Sequence, residues 1–421
     1  MVMVPKSKFD TVCSFADPKK MELFCKFVAS PVSKKEKFSV MDSRIRTSSF
    51  AFVILFVGAS LFCDVVAASD TTAVSYCFSY TADGLAASNN HSNHYAHLGL
   101  VQAGVTLNTS GLGWWQGGSF YANAFAAYGG TPSSDFIGDR QIVSNIEAGE
   151  YYGLYELSYQ HRFESGLMLA GGLLDLNSDF FVSDNASLFI NSAFGVGSNL
   201  SMNHTPAIYP VTGLGLMGGF AFSPKFSVKT GVYDGVPEIA ASGWHGFNMS
   251  LSAADGVLSI AEAQYTFLKD QNLLLQAKVG GCYQNSRLDG LGRQSLWSAY
   301  GTVDYSSNFS DAIPGWLEAF AQLGVSRPGH VELDGYFGVG ATWVNPLGDN
   351  LDGAELGAAY AAAIPSMSGL LNERVVELSA RVPVYRAFCL QCDYQYVNNP
   401  SFGTLDYSSA HVLIVRLQVE L

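Results

Sequence analysis

Residues 151–163 read YYGLYELSYQHRF. Tyr151, Tyr155, Leu157, Tyr159 and Phe163 share one parity, whereas Glu156, Ser158, Gln160 and Arg162 share the other. Side chains alternate across a β-strand, so the stretch predicts a strand with one aromatic, aliphatic face and one polar face. In a soluble sheet the apolar face turns into a core. In a membrane barrel it turns to lipid, and the polar face lines the interior. The expectation is that the Tyr151 parity faces lipid and that Glu156 to Arg162 face water.

The same alternation recurs from about residue 98 to the end. Ala261, Ala263, Tyr265 and Phe267 alternate with Glu262, Gln264 and Thr266. Leu317, Ala319, Ala321, Leu323 and Val325 alternate with Glu318 and Gln322, and Val376, Leu378 and Ala380 with Glu377, Ser379 and Arg381. The final run sets His411, Leu413, Val415, Leu417, Val419 and Leu421 against Val412, Ile414, Arg416, Gln418 and Glu420. Turn signals such as Gly129-Gly130, Ser223-Pro224, Asp270-Gln271-Asn272, Arg327-Pro328-Gly329 and Asn398-Asn399-Pro400 separate the runs. At about 20 residues per strand and connection, residues 98–421 accommodate roughly sixteen strands, each long enough to cross a bilayer when tilted. The predicted fold is all-β: a transmembrane antiparallel β-barrel of about 16 strands, wide enough for a water-filled channel. The 43 Gly, 28 Phe and 21 Tyr, against only 14% charged residues, suit lipid-facing aromatic girdles.

A secretion signal favours the membrane reading over a soluble sandwich. Residues 50–62, FAFVILFVGASLF, form an uncharged apolar run behind Arg44 and Arg46, with small residues at 65–68. This is a signal-peptide pattern, shorter than the ~20 residues of a membrane helix. Residues 41–68 are therefore expected to be the signal peptide. Residues 1–40 are either an extended leader or a mis-assigned start. Residues 69–97, including TADGLAASNNHSNH, are expected to form a periplasmic arm or plug, with the barrel at 98–421.

The whole chain has 36 acids and 23 bases; residues 1–68 take six acids and ten bases, leaving 30 and 13 and a net charge of −17. Such a surface disfavours nucleic acid and favours cations in any pore. Cys389 and Cys392 have C-x-x-C spacing, but an odd offset in a strand puts the thiols on opposite faces. No second such pair completes a zinc site. His91, His94 and His97 lie in a polar stretch, where solvated histidines are commoner than ligands. The chain contains no G-x-S-x-G, H-E-x-x-H or Walker loop. An enzyme is not expected.

A more specific signal lies between Arg140 and Gly195. It comprises Asn145-Ile146-Glu147, the Glu156–Gln160 core, Gly171-Gly172, Asp175 to Phe180, and Phe189 to Gly195. Tyr209-Pro210, Gly231 to Pro237, and Tyr394 to Pro400 extend it. This ordered set resembles the carbohydrate-selective porins of the OprB type. The resemblance implies a sixteen-stranded outer-membrane channel of a Gram-negative-type bacterium, passing small saccharides such as glucose by passive diffusion without cofactor or metal. The implied partners are outer-membrane lipid, saccharides and the barrel-assembly machinery; homo-oligomerisation is left open. The chain departs from the family in ending at Leu421 rather than Phe and in being poor in arginine.

A sugar-admitting lumen needs groups that donate to and accept from hydroxyls, with binding weak enough for release. Glu156, Gln160 and Arg162 on one strand face, Asp175, Asn177 and Asp179 beside the next strand, and Arg381 are the candidate lumen residues. The alternative is a structural or adhesive barrel closed by residues 69–97. Replacing Arg162 with Ala should raise cation preference, because an acidic channel loses a positive charge. An unchanged reversal potential under a salt gradient places Arg162 off the permeation path.

Overall fold

A computed structural model of the chain describes residues 72–89, 92–237, 255–269, 273–288, 292–309, 313–327, 331–385 and 387–421. The proposed leader and signal peptide, His91 and the turn at 270–272 lie outside the described residues. Sixteen strands form one closed antiparallel barrel. They are β1 (Val74–Asn89), β2 (Asn93–Asn108), β3 (Gly118–Gly129), β4 (Tyr151–Arg162), β5 (Leu167–Leu174), β6 (Gly213–Ser223), β7 (Phe226–Asp234) and β8 (Val257–Lys269). The other half comprises β9 (Leu273–Leu288), β10 (Gly292–Asn308), β11 (Trp316–Arg327), β12 (Leu333–Val344), β13 (Glu355–Pro365), β14 (Glu373–Tyr385), β15 (Phe388–Asn398) and β16 (Ser409–Glu420). Each strand pairs with its neighbours in sequence, and β1 closes on β16 from Ser79↔Glu420 to Asn89↔Ala410.

The described residues of 69–97 form no arm or plug. Residues 74–89 are β1 and residues 93–97 begin β2. The alternation is faint here because parts of the inward face are themselves apolar. Leu85 and Ala87 pack with Ile137 and Val143, and Leu98 and Leu100 pack with Ile146.

Antiparallel order puts the chain end and the short turns, such as 163–166, at one rim. The long connections 130–150 and 175–212 lie at the other. In outer-membrane barrels short turns are periplasmic and long loops extracellular. The outer face is apolar: Leu216, Val279, Leu323, Val325 and Leu413 are all exposed. Near the short-turn rim, Trp115, Phe120 and Tyr159 cluster on it, and the Trp115 indole donates to the Tyr159 hydroxyl at 2.8 Å. Such rings sit well where apolar body meets polar headgroup.

The strand that opened the sequence reading obeys alternation only in part. Asn123 pairs with Glu156, but its neighbour Ala124 pairs with Leu154, leaving Tyr155 as a bulge. An extra residue reverses the parity of the strand on one side of it. Leu157 and Tyr159 therefore face outward as expected. Tyr151 and Tyr155 do not: both are buried among Leu98, Phe125 and Ile146 inside the barrel. Tyr155 and Glu156 both point into the lumen.

Both long connections fold inward. The segment 175–212 buries Phe180, Phe181, Phe194 and Leu200 against inward-facing Tyr233, Leu258, Tyr300, Phe320 and Tyr336. Phe181 stacks on Tyr300 at 4.2 Å. The wide channel expected from strand number alone is thus partly packed by the chain's own loops. Wall side chains hold the loop backbone. Glu377 accepts from the amides of Ile190 at 2.5 Å and Asn191 at 3.0 Å. Glu262 accepts from Phe181 N at 3.0 Å, Gln391 donates to Leu188 O at 2.6 Å, and Lys278 donates to Val182 O at 2.7 Å.

The seam between first and last strands carries a buried ion pair. Arg416 Nε and Nη2 donate to the two carboxylate oxygens of Asp83 at 2.7 and 2.8 Å, and Ser144 Oγ donates to the same carboxylate at 2.7 Å. Removing one partner strands a buried charge, which costs about 3–5 kcal/mol. Arg416→Met should lower the temperature at which the folded band disappears on unboiled gels. Adding Asp83→Asn should recover much of the loss.

The loop 130–150 carries a second electrostatic feature. Burial pushes Asp139 up to about 6 against opposing hydrogen bonds. Burial, reinforced by Asp139, pushes Glu147 up to about 7. Glu373 of β14, also buried, accepts from the amides of Arg140, Gln141 and Ser401, each at 2.9 Å. A carboxyl whose pKa is raised on folding stabilises below its ordinary value of 4.5, and that contribution disappears as pH rises to about 7. The barrel should therefore resist urea better at pH 5 than at pH 8. Glu147→Gln should raise resistance at pH 8 and flatten the profile between these values.

Candidate functional site: the narrowed lumen

Where segment 175–212 leaves β5, it meets the bulged β4 and the inward face of β7. The sequence folds this way because Asp175 caps a short turn. Its carboxylate accepts from Asn177 N at 2.9 Å and Ser178 Oγ at 3.1 Å, and from the Tyr155 hydroxyl at 2.9 Å. Burial raises the Asp175 pKa, and these three donors oppose the rise. Four residues on, Asp179 forms an ion pair with Lys229 of β7 at 3.0 Å, with both side chains about one-third exposed (30% and 34%). Glu156 lies beside Asp175 and Asp179 on the facing wall. Tyr233, four residues along β7 from Lys229, is buried, with its hydroxyl lacking a hydrogen-bond partner.

Four of the seven candidates from sequence therefore converge: Glu156, Asp175, Asn177 and Asp179. They are not equivalent. The hydrogen bonds of Asp175 are spent on shaping the loop, and the Asn177 side chain donates weakly to Phe180 O at 3.4 Å. Glu156 and Asp179, with Lys229, offer part-exposed charge. Gln160 and Arg162 form a separate pair nearer the short-turn rim. With the amide turned to satisfy both groups, Gln160 O accepts from Arg162 Nε at 2.9 Å and Nη2 at 3.2 Å. Arg381 lies six strands from β4, on β14, ion-paired with Glu355 of β13. It does not join the cluster.

Lys229, Tyr155 and Tyr233 were missed. Lys229 was legible: it is one of four lysines after residue 68, in FSVKTGVYD, on the parity opposite Val228 and Val232. Tyr155 was not, because nothing local marks the bulge. The half of the lumen nearest the short turns is polar as well, with Ser79, Gln102, Ser158 and Gln418 partly exposed on inward parity. From the short-turn rim inward, the lumen wall presents hydroxyls and amides, then a segment where carboxylates, an ammonium group and tyrosine rings stand together.

The other sequence candidates have plain positions. His94 stacks on Phe136 at 4.6 Å and hydrogen-bonds Ser92 Oγ at 2.6 Å. His94 and His97 have opposite parity on β2. Cys77, Cys282, Cys389 and Cys392 are free thiols. Among the described residues no group of His, Cys, Asp and Glu is arranged to hold a metal ion.

Comparison with known proteins agrees with this architecture. No sequence among the curated proteins matches the chain. Among solved structures, the high-pH form of Pseudomonas putida OprB superposes with a TM-score of 0.71 at 18% identity, covering 83% of this chain and 94% of that one. The low-pH form gives 0.54 at 14%, covering 91% and 100%. An anion-selective porin from Comamonas acidovorans gives 0.53 at 12%, covering 83% and 99%. At these identities the likeness shows the fold. The profile of the carbohydrate-selective porin, OprB family, matches residues 92–421. The chain belongs to that family, and is a saccharide porin of the Gram-negative outer membrane.

Proposed function

We propose that the barrel passes small saccharides such as glucose by passive, weakly selective diffusion, and that Glu156, Asn177, Asp179 and Lys229 line its narrow segment. The observation that carries this reading is the part-exposed Asp179–Lys229 pair facing Glu156 beside tyrosine rings. Carboxylates accept from sugar hydroxyls, the ammonium donates to them, and a ring offers a face for the apolar side of the sugar. Exposure to water keeps each contact weak, as a permeating solute requires. Gln160, Arg162 and Arg381 line the wider approach from the periplasmic side. Asp175 supports the site by holding the loop.

Residues 41–68 direct export, and the apolar outward parity of β16 serves the barrel-assembly machinery. No cofactor takes part and nucleic acid is not a partner. The reading of a barrel closed by residues 69–97 loses its basis, since most of that segment is wall.

Liposomes containing the refolded protein should swell in glucose several-fold faster than in a large oligosaccharide of equal osmolality. Asp179→Asn with Lys229→Met should change the discrimination while leaving the barrel folded. Background-level swelling in both solutes overturns the proposal.

A further inference from the structure

The outer face of the barrel is not uniformly covered by large side chains. On β10–β13 two cross-strand rows run around the wall. One is Tyr305, Ala319, Ala341 and Ala358; the next is Val303, Ala321, Val339 and Tyr360. The four alanines leave an apolar groove of about 620 Å³ between the tyrosines. This is the volume of a ligand cleft rather than of a packing defect.

Its upper end is charged. Arg374 is exposed at the extracellular end of β14 on the outward parity of Val376 and Leu378. Val376 pairs with Tyr360 and Leu378 with Ala358, so Arg374 stands about 7–14 Å above the groove along the strand. Arg327 ends β11 on the outward parity of Leu323 and Val325 and is also exposed. The register carries Arg374 through Ala362 and Phe337 to Leu323, so Arg327 stands three strands away and four residues higher, about 20 Å along the wall. Neither arginine is ion-paired with a described residue. Arg140 neutralises Glu332 nearby at 2.7 Å. Asp334 on β12 is the exposed acid between the arginines, leaving this rim net positive on an otherwise acidic chain.

We propose that this face binds a phosphate-bearing, multiply acylated lipid of the outer leaflet, of the lipid A type. The headgroup phosphates lie against Arg374 and Arg327, and an acyl chain fills the alanine groove. The order is the one a bilayer imposes: guanidinium groups at headgroup level, and an unfilled apolar slot that begins about 7 Å below Arg374 and lies six to eight residues, about 20–26 Å along β11, below Arg327. Guanidinium groups also match phosphate oxygens in bidentate fashion.

The test is lipid retention by the full barrel in detergent, read by native mass spectrometry after exposure to diphosphoryl lipid A. Parallel arms use the dephosphorylated lipid and phosphatidylglycerol. Arg327→Gln with Arg374→Gln should lower diphosphoryl lipid A retention about tenfold or more, at roughly one kcal/mol for each arginine near a phosphate layer. Ala341→Phe, which fills the groove from the lipid side, should lower it as well. Both variants should keep the heat-resistant folded band and wild-type glucose swelling. Equal retention by wild type and both variants overturns the proposal. So does equal retention of the dephosphorylated lipid, or a dimer of the chain that excludes lipid from this face.

Discussion

A loop inside a barrel faces a constraint that a surface loop does not. Each of its amides and carbonyls leaves water, and an unpaired one costs free energy comparable to a lost hydrogen bond. The connection 175–212 is irregular for most of its length and cannot satisfy itself. The wall meets the demand. Glu377, Glu262, Gln391 and Lys278 each spend a side chain on loop backbone. Tyr336 does the same, donating to Ala193 O at 2.6 Å, and Gln322 donates to Phe194 O at 3.1 Å. Much of the inward polarity of this barrel is thus structural. The remainder is what the proposed path can offer a solute, and the candidate lumen residues divide into those that hold the loop and those left part-exposed.

The bulge at Tyr155 follows from the same need. A strictly alternating β4 with Tyr155 outward would leave Asp175 without the phenol that helps to bury it. Inserting one residue lets Tyr155 and Glu156 both reach inward, the first to fix the loop and the second to face the narrow segment. A single backbone irregularity therefore sets the position of the loop and the composition of the constriction together.

These facts also explain what the sequence made legible. Where the inward face meets water or a polar anchor, alternation is clean, as in Glu262 between Ala261 and Ala263, or Arg416 between Val415 and Leu417. Those strands could be read directly, including the parity of the terminal one. Where the inward face packs on a loop it becomes apolar, and the two faces look alike. That is why β1, with Leu85 and Ala87 inward, read as an arm. It is also why Tyr151 read as lipid-facing although it stacks on Phe125 inside, at 5.2 Å. The Asp175–Asp179 segment stood out because it belongs to the ordered set that resembles the family and its polar residues share one parity; the structure makes it a capped turn. Its counter-ion, Lys229, lies 50 residues away in sequence, a distance over which one sequence gives no contact information.

Selectivity in such a barrel belongs more to the loop than to the wall. Wall residues are fixed in register by main-chain pairing, and their polar groups are largely committed to supporting the loop. Residues 175–179 hang from the last pair of β5, so a change there moves a carboxylate without touching the ladder. The local charge also suits a neutral solute. Asp179 and Lys229 neutralise each other, so a sugar can exchange water for both an acceptor and a donor without meeting a strong net field. An ion entering the same segment meets Glu156 and Asp175 in addition, a bias toward cations that the net charge of the chain already favours. On the proposed reading the same residues would be permissive to sugars and discriminating toward ions, because hydroxyls respond to the local pair and ions to the sum.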